Sequence, residues 1–535
     1  MPLVLPMVRL KRFFLPILIS ALLVAVIFGS GRRLRSLSSN TIAHDNGNST
    51  LQTVQTTISG LFPWSFSADR DDDEMALDEP NGMPSFVSSK IKSDGSLDLS
   101  EIPPHCRDPY RVPGYLYVPE NKHYLHTQWI PFLDTNFLDV PDPKSAEYPT
   151  DVIPFFTDAP PPDTFIERSP HNWFAELYNY RNILKHADEA ANGKREKLSL
   201  SDSQQRLFRR LNWIHNRRVL VLGDSVDRIM IQFFCEDYES HAHFTQGSFG
   251  GQHTTYNCHI PSVNLTISHW HVASLYPMRP SWWWLDHIRL VAFEDRFEKL
   301  FKPVWDKVIG MNGQTPDLII FQSGLWDERA FRESSRNFKY PEDEKLSKEQ
   351  LEKKMSERRK SGLGKEGRQL AWDELVFFKS RMAKFMRYLR EKFGAQTPML
   401  YRSLTTRRDS NVADLATINM DRISRLIAQR EGVEIFEWAR LTSGFSDQYM
   451  DYLHVGRGPL SATWGNMMLY YLFRASGGIN FNGTIERYPD FSGNYLVEGK
   501  GAINVPVFNV KENPDVSVNN FWAECHAYNV FWGGR

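Results

Sequence analysis

The sequence predicts an α/β domain built on a central, mostly parallel sheet whose two faces are both covered. Two observations carry this. Short apolar runs at 218–222, 317–321, 398–402 and 433–437 read as strands, the first being four consecutive aliphatic residues after Arg218. Runs of that kind suit strands buried on both faces. Longer segments between and after them carry apolar residues at helical spacing, and strand–helix alternation is the pattern of parallel sheets with helices on each side.

Taken in chain order, the first element is apolar. Residues 13–31 contain no charged side chain. As a helix they would span about 28 Å, close to the ~30 Å hydrocarbon core of a bilayer. Arg9, Lys11 and Arg12 precede the run and Arg32, Arg33 and Arg35 follow it, so flanking charge gives little orientation. A single transmembrane signal-anchor with a short cytoplasmic tail over 1–35 is expected. A cleaved signal peptide is the competing reading, because Gly29, Ser30 and Gly31 are small. Residues 36–103 are rich in Ser, Thr, Asn and Asp and are too polar to offset chain entropy, so they read as a disordered stem.

The folded domain is expected over 104–535. Residues 106–156 are dense in proline and aromatics and disfavour regular helix. Helical patterning begins at 172–192 and returns at 201–215. The strand 218–222 follows, then a helix from 225 to 235. The strand 317–321, a long amphipathic helix at 366–393, the strand 398–402, a helix at 412–431, the strand 433–437 and a helix at 459–475 complete the series. Pro459 suits the first turn of that last helix. Residues 337–365 are highly charged and read as a solvated insertion. A further strand is possible at 264–272, where His269 and His271 would share a face. No additional metal ligands accompany that pair, so no metal site is expected. Trp282, Trp283 and Trp284 suit either a sugar platform or a wedge in the core.

Composition narrows the class. The 535 residues carry 63 basic and 64 acidic side chains, a formal net charge of −1, which argues against a nucleic-acid binder. Hydrophobic residues make up 41%, enough for a sizeable core. Asn48, Asn264 and Asn482 each begin a glycosylation sequon. The four cysteines, Cys106, Cys235, Cys258 and Cys525, show neither CxxC nor metal-ligand spacing. An even count in a secretory context suggests two disulfides. Of the three possible connectivities, Cys235–Cys258 with Cys106–Cys525 is the expected one. Together these features place the long C-terminal part in the lumen of the secretory pathway, in the Golgi or ER, or outside the cell.

Three segments carry chemistry. Gly223-Asp224-Ser225 ends a buried strand and begins a helix. Sites in open α/β sheets form outside the carboxyl ends of strands. A serine there projects from the sheet, with helix N-terminal N–H groups beside it to hold an oxyanion. A serine hydroxyl needs a base, usually a histidine oriented by a carboxylate. Of the 16 histidines only His454 has an aspartate three residues before it, Asp451. This pair follows the fourth expected strand and precedes a helix. The third segment, Ser323-Gly324-Leu325-Trp326-Asp327, follows the second strand. Gly324 is the expected second oxyanion donor, and Trp326 is suited to stack on an acyl group or a sugar. The bland alternatives are an ordinary turn, a structural loop histidine and a core tryptophan.

The run from Arg218 to Arg228, ending in Phe233-Phe234-Cys235, resembles the GDS segment of the PC-esterase family. That family includes plant trichome-birefringence-like proteins and fungal capsule O-acetylation proteins. Its Gly-x-Trp block is matched by Gly324 and Trp326. Its D-x-x-H block, with a following proline and a tryptophan-containing helix, is matched by Asp451, His454, Pro459 and Trp464. The resemblance spans roughly residues 104–535. It implies an SGNH-hydrolase-like three-layer sandwich and a Ser225–His454–Asp451 triad acting on sugar-linked acyl esters, usually acetyl. The chain departs from the family at the second block, which has Leu325 and Asp327 in place of a histidine and a second tryptophan. The SGNH oxyanion asparagine is absent, and Trp326 stands where it would be.

The expectation is therefore a glycan O-acetyltransferase working through an acyl-Ser225 intermediate, with no cofactor. Its partners are a glycan acceptor, an acetyl donor and, through the N-terminal helix, a membrane. Arg228 and Asp224 are expected to steady the nucleophile loop or contact substrate. The rival readings are a carbohydrate acetyl esterase and a non-catalytic glycan-binding protein that keeps the fold.

Overall fold

The computed structural model describes residues 106–120, 122–132, 169–191, 201–238, 242–244, 256–276, 292–308, 311, 313–336, 341–360, 367–408, 414–476, 493–497, 501–505, 522, 525–526 and 529–530. All fall within one compact unit, Pro80–Arg535. The expected anchor, the stem, Asn48, Asn482 and the 282–284 tryptophans lie outside the described residues. Among the described residues, no helix is long and apolar enough to cross a membrane.

The strands are β1 Gly114–Tyr117, β2 Gln128–Pro131, β3 Arg218–Gly223, β4 Ala242–Phe244, β5 Tyr256–Ile260, β6 Leu265–His271, β7 Leu318–Phe321, β8 Met399–Arg402, β9 Glu434–Phe436, β10 Gly493–Val497 and β11 Gly501–Val505. The main helices are α1 Trp173–Ala191, α2 Asp202–Arg210, α3 Ser225–Asp237, α4 Leu325–Arg336, α5 Lys348–Lys360, α6 Trp372–Phe393, α7 Leu415–Arg430 and α8 Pro459–Ala475. A seven-stranded sheet runs β4-β5-β6-β3-β7-β8-β9, and β1–β2 and β10–β11 form separate antiparallel pairs. From β6 to β9 the large sheet is parallel, while β4–β5 and β5–β6 are antiparallel. The four strands expected from the apolar runs are β3, β7, β8 and β9, and the possible strand at 264–272 is β6. The antiparallel edge of β4 and β5 was not foreseen.

Side chains alternate between two cores with the period of two that strands impose. Val219, Val221, Leu318, Ile320, Leu400 and Phe436 face a core shared with α1, α3 and α8. Leu220, Leu222, Ile319, Phe321, Met399, Tyr401 and Ile435 face a second core shared with α6 and α7. The result is a three-layer α/β sandwich on a mostly parallel sheet, and it fits the SGNH-like architecture expected. Its strand order reverses at β3: the chain runs from β3 to β6 on one side, then returns to β7 on the other. Such a switch point leaves a crevice outside the strand's carboxyl end.

Helix α8 sits in the first core, buried from Leu460 to Arg474. A Cβ at Gly465 would lie 2.8 Å from Phe234 of α3, so the glycine permits the two helices to touch. Phe234 stacks in turn on Phe174 of α1, with centroids 5.0 Å apart. Two disulfides, Cys235–Cys258 and Cys106–Cys525, have the pairing expected. The first ties the last turn of α3 to β5. The second joins positions separated by 419 residues. Within the charged insertion, α5 is largely exposed, and the buried Asp343 accepts an ion pair from Lys354 at 2.9 Å.

Candidate active site

Ser225 begins α3 directly after β3. Asp224 is the N-cap, and its Oδ1 accepts from the Val226 N–H at 2.9 Å. Asp227 folds back beneath the turn and accepts from the Asp224 N–H at 3.4 Å, closing a capping box. This explains Gly223. Its φ does not fall in the left-handed region, and a Cβ there would lie 2.1 Å from Asp227 Oδ2. The glycine admits the Asp227 carboxylate beneath the backbone; the sharp turn alone does not require it.

Asp227 is the hub of the turn. Arg402 at the end of β8 donates to it twice, from Nε and from a terminal nitrogen, each at 2.8 Å. Gln322, just past β7, donates at 3.0 Å. All three residues are buried. Bidentate guanidinium–carboxylate geometry fixes position as well as charge. Burial, and then the neighbouring Asp227, push the Asp224 carboxyl above its ordinary range, against the attraction of Arg402. None of this network was foreseen. Arg402, Gln322 and Asp227 are isolated polar residues in three separate segments, and only the parallel register of β3, β7 and β8 brings them together.

Asp451 and His454 lie past β9 on a short hairpin. Tyr449 pairs antiparallel with Val455, Met450 N–H donates to His454 C=O at 2.9 Å, and Gly456 N–H donates to Gln448 C=O at 2.8 Å. Inside the hairpin, Asp451 Oδ1 accepts from the Leu453 and His454 N–H groups, both at 2.7 Å. Asp451 Oδ2 lies 2.8 Å from His454 Nδ1, and His454 Nε2 lies 2.8 Å from Ser225 Oγ. The second contact joins residues 229 positions apart. Partial burial pushes the Asp451 carboxyl up, but hydrogen bonds from the His454 ring and from the His454 and Leu453 backbone outweigh it. Its pKa lies below the usual carboxylate value.

Two anchors carry the hairpin from the edge strand β9 back to Ser225. Arg408 N–H, in the loop after β8, donates to Tyr452 C=O at 2.7 Å. Arg457 Nε donates to Asp237 Oδ1 and to the Tyr124 hydroxyl, each at 2.8 Å, and so ties the hairpin to the last residue of α3.

The other expected site residues are placed as follows. Gly324 stands three residues past the register pair Leu222–Phe321, as Ser225 does on the neighbouring strand. The two backbones therefore reach the same edge of the sheet. Trp326, in the first turn of α4, meets His271 edge-on at 5.4 Å and carries the Arg329 guanidinium over its ring at 5.3 Å. Its ring is thus engaged within the fold. Arg228, one turn into α3, is half-buried. Burial lowers its pKa, while Tyr256 and Asp224 act the other way. Asp327 anchors the 274–276 segment, accepting from the Ser274 hydroxyl at 2.8 Å and the Leu275 N–H at 2.8 Å. His269 and His271 do share a face of β6, with rings 6.3 Å apart and both buried. Burial lowers the His269 pKa to about 3. Among the described residues, no group of three His, Cys, Asp or Glu side chains is arranged to hold a metal ion.

Asn264 lies at the opposite edge, just before β6, in a left-handed conformation with φ 48°. The side-chain nitrogen to which a glycan would attach donates to Asn216 Oδ1 at 2.7 Å.

No family model matches this chain, and no curated protein matches it. Similar solved structures include a putative GDSL-like lipase from Parabacteroides merdae, 11% identical over 49% of this chain and 96% of that one, with a TM-score of 0.26. An alpha/beta hydrolase enzyme from the metagenome of Lake Arreo, Spain, is 12% identical over 50% and 99%, with a TM-score of 0.25. An acetylxylan esterase from Geobacillus stearothermophilus is 10% identical over 48% and 94%, with a TM-score of 0.26. Likenesses this distant carry no inference about activity, which rests on the geometry of the site.

Proposed function

We propose that this chain is a serine-dependent acyl-transfer enzyme acting on glycans, an O-acetyltransferase working through an acyl-Ser225 intermediate. One observation carries the reading: a hydroxyl, an imidazole and a carboxylate from two distant segments stand in series, with both contacts at 2.8 Å, at the carboxyl end of β3, where the strand order reverses. His454 Nε2 takes the Ser225 proton as Oγ attacks the ester carbonyl. Asp451, kept ionised, holds Nδ1–H and stabilises the imidazolium. The Ser225 and Gly324 N–H groups receive the oxyanion. The protonated His454 then gives its proton to the departing alkoxide, leaving acyl-Ser225. A sugar hydroxyl, deprotonated by His454, attacks this acyl group and regenerates the serine. No cofactor enters the scheme. In this reading the N-terminal anchor and stem hold the domain at a secretory-pathway membrane, in the Golgi lumen.

Hydrolysis is the second reading. The Asp451 side chain is 42% exposed and that of His454 19%, an openness that admits water to the base. The test supplies purified domain with 4-nitrophenyl acetate and an unacetylated oligosaccharide. Acetylated oligosaccharide as the main product supports transfer, and acetate alone supports hydrolysis. Absence of either product, with no acetyl on Ser225 by peptide mass spectrometry, would sink both.

A further inference from the structure

The hairpin that carries the acid–base pair also presents two large apolar side chains to solvent. Tyr452 stands at its apex, between Asp451 and His454, and is 55% exposed; Met450, before Asp451, is 53% exposed. Neither exposure reflects a loose segment. The apex is closed by both Asp451 Oδ1 bonds, by the Met450–His454 backbone bond and by the Arg408 strap to Tyr452 C=O. An aromatic ring held out of the core on a well-tied backbone, within two residues of the base, is surplus to the fold. Burying its apolar ring would have been favourable.

The geometry points to Tyr452, with the exposed Met450 two residues before it, as the platform on which a sugar ring of the glycan stacks while its ester or hydroxyl group reaches Ser225. This inference rests on the acyl-transfer reading and names the substrate group that site receives. A pyranose ring fits better than an acyl chain for a physical reason. An acyl chain needs a concave apolar slot that surrounds it. A half-exposed ring at a hairpin apex covers one face only. A sugar has an apolar C–H face for the ring and hydroxyls that stay hydrated at its edges. The chain at the apex is polar: Asp451 precedes Tyr452, and the Arg408 N–H donates to the Tyr452 C=O at 2.7 Å, which suits a hydroxyl-rich ligand. Tyr452 is accordingly a specificity-determining residue whose effect falls on glycan binding.

Binding is measured first, by calorimetry on Ser225→Ala protein with a panel of xylo-, manno- and gluco-oligosaccharides. Tyr452→Ala is expected to weaken the best ligand about tenfold, a loss typical of one aromatic stacking contact. Tyr452→Phe and Tyr452→Trp are expected to retain binding. Leu426→Ala, which alters an exposed apolar residue on α7, is the control expected to change nothing. With Ser225 intact, Tyr452→Ala should lower kcat/KM for an acetylated oligosaccharide about tenfold relative to 4-nitrophenyl acetate, mainly through KM. Equal binding by wild-type and Tyr452→Ala protein, or no oligosaccharide binding at all, would overturn the proposal. So would a selective loss on long-chain acyl esters, or equal losses on glycan and aryl substrates. Failure of the acyl-transfer reading shows separately, as absence of any acyl-Ser225.

Discussion

The two halves of the site are held by different physics. The turn that carries the proposed nucleophile, from Gly223 to Arg228, rests on a buried carboxylate that accepts from Arg402, Gln322 and the Asp224 backbone. Its helix is stapled to β5 by a disulfide and packed against α8. The hairpin that carries the proposed acid–base pair stands at the surface and is held by short-range bonds of its own and by two arginine-containing straps. The serine is thus fixed by interactions whose removal also threatens the fold. The histidine and aspartate are fixed by interactions that matter mainly for geometry. Stability and activity should separate along this line.

The largest expected effect on activity without loss of the fold is at Asp451. Asp451→Asn removes the acceptor at His454 Nδ1 and should lower kcat by about 10²–10⁴. Its exposed side chain should leave stability within about 1 kcal/mol of wild type by urea denaturation. A variant that unfolds, or one that keeps full activity, breaks the contrast. Asp227→Asn is the mirror experiment. It removes the bidentate carboxylate partner of the buried Arg402, leaving only Asp224 at 3.8 Å, and should destabilise the domain by about 3–5 kcal/mol. A stable Asp227→Asn domain would show that the hub is dispensable.

The pH dependence of stability sharpens the same division. His215 and His269 are fully buried, and burial lowers the pKa of each to about 3, with Arg217 adding to the effect at His215. The unfolded chain takes up protons at these residues below about pH 6.5 while the folded chain does not. The contribution of these two residues to stability therefore falls as pH drops from about 6.5 toward 3, by up to about 1.4 kcal/mol per pH unit for each histidine. Asp451 adds to the slope only at the acid end of that window. With its pKa depressed, its contribution is present above the ordinary carboxylate range and is lost only as pH falls below it. His269→Gln should flatten the acid slope measured by thermal melts; an unchanged slope would contradict this account.

The smallest effect is expected at Arg457. Arg457→Ala cuts the strap to Asp237, which is then left buried without its guanidinium. The cost should be about 1–3 kcal/mol, with kcat down about tenfold as the hairpin loosens. Asp237→Asn, which retains a hydrogen-bond acceptor, should recover part of the activity if the strap acts on geometry.

Much of this was legible in the sequence, for identifiable reasons. Strands β3 and β7 are short apolar runs bounded by turns, and their carboxyl ends announce where a site in such a sheet must form. The Asp451–His454 pair was found because both residues lie on one hairpin. The β4–β5 edge was missed because those strands lack a long apolar run. Strand β6 was only suspected, since its buried histidines break the apolar signal. Arg402 and Gln322 were invisible for a deeper reason. Their role comes from strand register, which no local pattern encodes. At Gly223 the constraint is the close approach of Asp227, which exists only in three dimensions.

Labelling with a serine-reactive phosphonate tests the central claim most directly. Purified domain is treated and digested, and the modified peptide is identified by mass spectrometry. The account predicts stoichiometric modification at Ser225 alone, slowed at least a hundredfold by His454→Ala. Modification at another residue, or labelling of Ser225 at the same rate without His454, would contradict it.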